Sequence, residues 1–330
     1  MPRLVVAPDK FRGSATATDA AEAIGAAATR LGWSVDLAPV SDGGEGFCQV
    51  LGGRARPASV HGPLGETIES AWYELDGGAT AAIEMAMASG LVLAGGEEAN
   101  DPMRADTRGV GELIAAAVKG GARHLLVGMG GSASTDGGWG AIEVLEPISR
   151  LAGVHIEVAC DVRTRFVDAA AVFAPQKGAT PAQVEMLTRR LERLVQLYQQ
   201  RFGRDVTELV GAGAAGGLAG GLAAIGGELT SGFDLVADRI DLAGRIEGAD
   251  LVITGEGLLD DQSFEGKSVG GVVELAAEFG VPVAVIAGDS DTNPDLEVRT
   301  LIAEVGEEAA MTDTLTSLGR VTEELLAGRT

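Results

Sequence analysis

Short apolar runs that stop at acidic turns lie near both ends of this chain, and they constrain its fold more than any other feature. Residues 3–7 (RLVVA) stop at Pro8-Asp9, and residues 251–254 (LVIT) run into Glu256 and Asp260. Runs this short, apolar and bounded by turn residues predict strands buried on both faces of a parallel sheet. A loop then leads into an Ala-rich helix at about 18–31, with Thr16 or Thr18 as N-cap. The strand SVDLAPV follows and ends in the turn SDGGEG, with a further helix behind it. This βαβα opening predicts a doubly wound sheet. Its rhythm returns from Asp250, with a helix at 268–279, the strand VPVAVIAG and a terminal helix at 313–327.

The middle of the chain reads differently. Alternation in 67–75 and 79–85 predicts antiparallel or mixed strands, followed by a helix at 109–119 and a strand in RHLLVGMGG. The apolar stretch 169–178 reads as a strand, and 181–203 as a helix with Pro181 in its first turn. The Gly/Ala-rich stretch 211–227 reads as a packed loop and helix. The fold class expected is α/β: a Rossmann- or flavodoxin-like parallel doubly wound sheet, interrupted by a second α/β domain with a mixed sheet. The boundaries expected are 1–62 plus 246–330 for the first domain and 63–245 for the inserted one, with the active site in the cleft between them.

Composition narrows the function. A formal net charge of −23 argues against nucleic acid or an anionic membrane as partner, since both need a basic footprint. A nucleotide then has to be met by local Lys or Arg, backbone N–H groups and a cation. Cys48 and Cys160 form no CxxC pair, so neither a disulfide framework nor a zinc site is indicated. No secretory signal is visible, and a cytoplasmic location is expected.

Asp9 and Asp42 follow the first two strands, and Glu256 and Asp260 follow the strand at 251–254. Ligands of a doubly wound sheet bind at the carboxyl ends of its strands. Carboxylates there can hold Mg²⁺ or take a proton from a hydroxyl, the two tasks of phosphoryl transfer. The alternative for each acid is a helix cap. The loop 128–138 (GMGGSASTDGG) offers backbone N–H groups at Gly130 and Gly131 and hydroxyls at Ser132, Ser134 and Thr135, a nest suited to phosphate, with Asp136 placed for the cation. Lys177, after Gln176, and Lys267 are candidate phosphate contacts, and Lys10 and Arg12 form a third basic group fit for a carboxylate. The GKS at 266–268 lacks the first Walker glycine, because Asp261 stands there. Matches to GxGxxA at Gly128 and GxGxxG at Gly211 arise easily in a chain with 49 glycines. The three histidines share no spacing that suggests a triad or a metal site, and His124 and His155 read as structural.

Several of these segments together resemble the bacterial glycerate kinase family that phosphorylates the 2-hydroxyl. They are APDKFRGS (7–14), SDGGEG (41–46), RGVGEL (108–113), GMGGSASTDGG (128–138), ACDV (159–162), VFAPQKGAT (172–180), GAGAAGGLAGGL (211–222) and LVITGEGLLDDQSFEGK (251–267). They keep the family's order over most of the chain. The resemblance implies a Rossmann-like domain split by an inserted one, and ATP with Mg²⁺. It puts the motif acids and lysines on Asp9, Asp42, Asp136, Asp161, Glu256, Asp260, Lys177 and Lys267. Catalysis is expected from Asp42, Asp9, Lys177 and Lys267, metal binding from Asp136, Glu256 and Asp260, and substrate contacts from Arg12, Lys10, Asp161 and Gln176. The expected partners are glycerate and ATP, and a homodimer stays open. The second domain is shorter than in the family, since GAIEVLEPISR leads almost directly to LAGVHIEVACDV. The rival readings are a nicotinamide-dependent oxidoreductase using the Gly128 loop and a non-catalytic ligand-binding relative of the kinase.

Overall fold

The computed structural model describes residues 1–11, 13–264 and 267–329. In chain order its strands are β1 (Arg3–Pro8), β2 (Ser34–Leu37), β3 (Arg54–His61), β4 (Thr67–Leu75), β5 (Thr80–Glu84), β6 (His124–Gly128), β7 (His155–Ala159), β8 (Glu228–Thr230), β9 (Leu251–Gly255), β10 (Leu258–Leu259), β11 (Val283–Ala287), β12 (Asp289–Ser290) and β13 (Glu297–Thr300). Contacts group them into two compact units, residues 1–42 with 233–330 and residues 43–232.

The first unit is a parallel five-stranded sheet in the order β13-β11-β9-β1-β2. The pleat of β1 sends Leu4 and Val6 to one face and Val5 and Ala7 to the other, the period-two rule for a strand. Leu4 and Val6 pack with Ile24 and Ala28 of the helix Ala17–Arg30 and with Leu318 and Val321 of the helix Thr314–Leu326. Val5 and Ala7 pack with Phe233, Ile246 and Val272. Both faces are therefore covered, which is why the strand is apolar at every position from Leu4 to Pro8. Thr16 is the N-cap of the first helix and accepts a hydrogen bond from the Asp19 amide.

The second unit is a mixed six-stranded sheet in the order β3-β4-β5-β6-β7-β8, antiparallel from β3 to β5 and parallel from β5 to β8. The helix Arg108–Lys119 covers one face with Val110, Leu113 and Ile114. The long helix Pro181–Phe202 has Thr180 and Gln183 in a reciprocal capping box and Pro181 at its start.

Three expectations need correction. The units meet at 42/43 and 232/233, not at 62/63 and 245/246. The reason is that β3 hydrogen-bonds to β4 along its whole length, whereas Ile246 and Phe233 belong to the core beneath β1 and β9. The stretch 169–178 is not a strand: Ala169–Phe173 is helical and Pro175–Lys177 a 3₁₀ turn. Ala169, Ala170 and Ala174 point into one core with Leu187 and Leu191 while Val172 is exposed, a helical pattern hidden in a uniformly apolar run. Finally, β2 ends at Leu37, so Asp42 lies in the turn beyond it rather than at its tip.

Candidate active site

In the first unit the chain runs outward from β1 in two directions, to β2 on one side and to β9, β11 and β13 on the other. The carboxyl ends of β1 and β9 flank this reversal, the place where a doubly wound sheet leaves a crevice. Pro8 pairs with Gly255, so the next residues, Asp9 and Glu256, leave the sheet side by side. Asp9 is buried; its carboxylate accepts the Lys10 amide at 2.6 Å and the Ser268 hydroxyl at 2.6 Å. Lys10 Nζ lies 3.5 Å from Asp9 Oδ1 and 3.2 Å from Asp42 Oδ1, bridging the two acids. The Asp42 side chain keeps 30% of its surface exposed.

The electrostatics follow from crowding. Burial pushes the Asp9 carboxyl up, opposed by Lys10 and reinforced by Asp42. Burial pulls Lys10 down, but Asp9 and Asp42 together outweigh it and keep the ammonium charged well past neutral pH. Burial pushes Glu256 up to about 7; Ser263 and Lys267 offset this in part, and Asp9 and Asp42 add to it. Glu256 Oε1 is buried and has no hydrogen-bond partner. An anionic oxygen in that state calls for a cation or a hydroxyl.

The rise from 4.5 to about 7 has a measurable sign. Across that window the folded protein holds a proton that the unfolded chain has released, so ligand-free stability falls as pH rises through it. Glu256→Gln removes the penalty. Its unfolding midpoint is expected to exceed the wild-type value at pH 8, reflecting about 3 kcal/mol, and to match it at about pH 4. Thermal melts at the two pH values check this, and an offset independent of pH would contradict it.

Beside this cluster lies a cavity of about 200 Å³ whose mostly apolar walls include Phe11, Gly257, Ile302, Ala310 and Met311. Phe11 and Gly257 directly follow Lys10 and Glu256 in the chain. Arg12 is outside the described residues.

In the second unit the loop 128–138 follows β6. Gly131 is exposed, and Gly130 and Ser132 are half-buried, whereas Ser134 and Thr135 have no exposed surface. The expectation that these last two hydroxyls meet phosphate is corrected: both are sealed inside the unit, and neither Oγ nor Oγ1 has a partner. Asp136 is also not poised for a metal. Its Oδ2 accepts the Thr107 amide and hydroxyl and the Gly140 amide at 2.8–3.1 Å, and its Oδ1 accepts the Gly138 amide at 3.0 Å. Four donors use up the carboxylate and pin the loop to the start of the helix Arg108–Lys119. Lys177 is buried, and its ammonium donates to Ser132 Oγ at 2.7 Å and to the Ser134 carbonyl at 2.6 Å. It supports the loop from within. Burial brings its pKa down to about 7, against the pull of Asp136.

The glycine-rich stretches serve each other. A Cβ on Gly216 would sit 2.0 Å from the Ser134 carbonyl, and one on Gly130 would sit 2.3 Å from the Gly44 Cα. Gly216 also holds φ at +65°, where an L side chain is strained. Both dinucleotide-like patterns are thus filled by protein backbone, which removes their support for the oxidoreductase reading. Gly216→Ala is expected to cost at least about 2 kcal/mol, measurable as a lowered denaturant midpoint.

The remaining candidates make local contacts. Asp260 caps the turn Asp261–Phe264 by accepting the Ser263 amide at 2.9 Å, so the cap alternative describes it. Asp161 accepts the Gly232 amide at 2.7 Å, and Gln176 is exposed. Lys267 precedes the helix Ser268–Glu278 with its Nζ 3.4 Å from Gln262 Oε1. His61 is held by Glu112, whose carboxylate binds both its amide and Nδ1 at 2.7 Å. Sequence reasoning missed Ser268 and Glu84. Ser268 ends the GKS stretch. Glu84 closes the fully buried run TAAIE of β5 and accepts the Gly46 amide at 3.2 Å, so the strand-end rule that found Asp9 points to it as well.

A doubly wound sheet with acids and a lysine gathered at its reversal point belongs to the class of α/β enzymes that handle small ligands at strand ends. The chain belongs to the glycerate kinase family, whose model matches residues 4–149 and 142–328. The two matched stretches overlap at residues 142–149. A glycerate kinase of Bacillus subtilis is 39% identical over 324 residues, covering 87% of this chain and 85% of the relative. The glycerate 2-kinase of Escherichia coli is 36% identical over 326 residues, covering 87% and 85%. A crystal structure of a protein described as glycerate kinase 2, from Salmonella typhimurium LT2, superposes with a TM-score of 0.82 at 34% identity and covers 99% of both chains. Among the described residues no helix is long and apolar enough to cross a membrane.

Proposed function

We propose that this protein transfers the γ-phosphoryl group of ATP to the 2-hydroxyl of D-glycerate, giving 2-phosphoglycerate and ADP. The observation that carries the reading is the set Asp9, Lys10, Asp42 and Glu256 gathered at the reversal point of the sheet, with one Glu256 oxygen buried and unpartnered. The glycerate oxygen bonds to the γ-phosphorus, the bond from that phosphorus to the β–γ bridging oxygen breaks, and the hydroxyl proton passes to a carboxylate. Asp42 is the acceptor, because its side chain is the more exposed of the two acids on Lys10. Asp9 holds Lys10 and Ser268 in place, and Lys10, kept charged by Asp9 and Asp42, meets the anionic end of the substrate. Lys267 supplies a second positive charge from the head of its helix.

Mg²⁺ fits the donor set: carboxylate oxygens are its preferred ligands, and a cation beside Glu256 and Asp9 would offset the burial and repulsion that raise both groups. When bound, it supplies charge neutralisation to the phosphates. The apolar cavity walled by Phe11, Ile302 and Met311 suits the nucleobase. Within the second unit, the loop 128–138 offers the exposed Gly131 amide and Ser132, held by Lys177, as donors suited to phosphate oxygens. The test is incubation with Mg-ATP and D-glycerate, following ADP and identifying the product by phosphorus NMR. No glycerate-dependent ADP would sink the proposal, and NADH binding in place of ATP would favour the oxidoreductase.

A further inference from the structure

His124 and Glu157 are 33 positions apart in sequence, yet the parallel ladder brings them together with a third side chain. His124 opens β6, His155 opens β7, and the register sets the two histidines directly opposite each other. Glu157 is two residues further along β7, so the pleat returns it to the same face. The two imidazole centroids are 5.1 Å apart with ring planes at 39°. Both Nε2 atoms face one oxygen: Glu157 Oε1 is in close contact with His124 Nε2 and 3.7 Å from His155 Nε2. Each side chain offers one donor atom, and the three donors lie within 4.8 Å of one another.

A hydrogen bond cannot join all three side chains: at 3.7 Å His155 Nε2 is beyond hydrogen-bond reach of the oxygen that His124 Nε2 contacts. A divalent ion, with ligand distances of about 2.0–2.2 Å, can engage all three donors at once. The side chains retain 32%, 48% and 24% of their surface, leaving room for water to complete the shell. Two imidazoles and one carboxylate select zinc and its transition-metal neighbours over magnesium. The net charge of −23 further favours cation capture.

We propose that His124, His155 and Glu157 form a transition-metal site of zinc type, separate from the candidate active site. It sits at the amino ends of β6 and β7, whereas the loop 128–138 and Asp161 follow their carboxyl ends. A five-residue strand puts about 15 Å between the two ends. An ion here would tie β6 to β7 and stabilise the second unit by mass action.

The experiment is titration of tag-free, EDTA-treated full-length protein with Zn²⁺, read by calorimetry and by thermal melting. The expected result is one equivalent bound, with a rise of several degrees in the melting midpoint that excess Mg²⁺ does not reproduce. In His155→Ala and Glu157→Gln the affinity should fall at least tenfold and the thermal shift should vanish. His155 is half exposed, so its variant should keep the wild-type circular dichroism and metal-free melting point. Equal zinc affinity in wild type and in the His124→Ala/His155→Ala double variant would overturn the proposal, as would the absence of any zinc-dependent heat in the wild type.

Discussion

Asp42→Asn is expected to lower kcat by about 10³-fold while leaving the fold intact. Loss of a positioned proton acceptor costs about 10²–10⁴-fold in rate, and 10³-fold corresponds to about 4 kcal/mol of transition-state stabilisation. Stability should barely move. The side chain is 30% exposed, and Lys10 keeps Asp9 as a partner. Removing the Asp42 charge also relieves the repulsion that raises Asp9 and Glu256, which offsets the lost ion pair. The KM for glycerate should change little, because asparagine preserves the shape. Steady-state kinetics with a melting curve on the same preparation checks both halves. A kcat within threefold of wild type would remove Asp42 from the chemistry.

Lys177→Met should separate stability from activity. In the folded protein burial lowers this lysine from 10.5 to about 7, so between those values the unfolded chain holds a proton that the folded one lacks. Wild-type stability therefore rises with pH across that window, and the full penalty of burying the charge is felt below pH 7. Methionine fills similar space without a charge, which recovers several kcal/mol. Against this, the Ser134 carbonyl loses its donor at a cost of about 1–3 kcal/mol. The expected balance is a gain of about 1–2 kcal/mol at pH 7 that shrinks toward pH 10. Activity should fall at least 100-fold, because Ser132 and the loop backbone lose the group that orients them. A residue with a purely structural role would lose stability and activity together, so a more stable but slower variant distinguishes positioning from packing.

The parts of this molecule that were legible in the sequence are those whose signal is local. The strands at 3–7 and 251–254 announce themselves because both faces are buried and the acids stand at their tips. The helices at 17–30 and 181–202 carry their caps in the neighbouring residues. By contrast, β3 (RARPASVH) has one buried residue, Val60, and otherwise mixes Arg, Ala, Pro, Ser and His at exposed or half-buried positions, so nothing in its composition marks a strand. Only pairing with β4 creates it. The site divides in the same way. Asp9, Lys10 and Glu256 follow from the rule of strand ends, whereas Asp42 lies five residues beyond the tip of β2. The anchoring of Asp136 by Thr107 and the burial of Ser134 and Thr135 depend on segments distant in sequence. His124 and His155 looked unrelated because a parallel register has no trace in linear spacing.

The sheet of the first unit is assembled from both ends of the chain: Leu4 of β1 lies beside Leu251 of β9. During synthesis β1 emerges early, yet its neighbour on that side leaves the ribosome only after the whole of residues 43–232. Until then one edge of β1 stays open, and Leu4 and Val6 lack most of the surface that will cover them. The nascent chain must therefore carry an adhesive strand while residues 43–232 are made, and the second unit can close on its own once Gly232 is out. Premature stops between 233 and 251 should consequently yield products with a finished interior module and an unprotected, aggregation-prone leading segment.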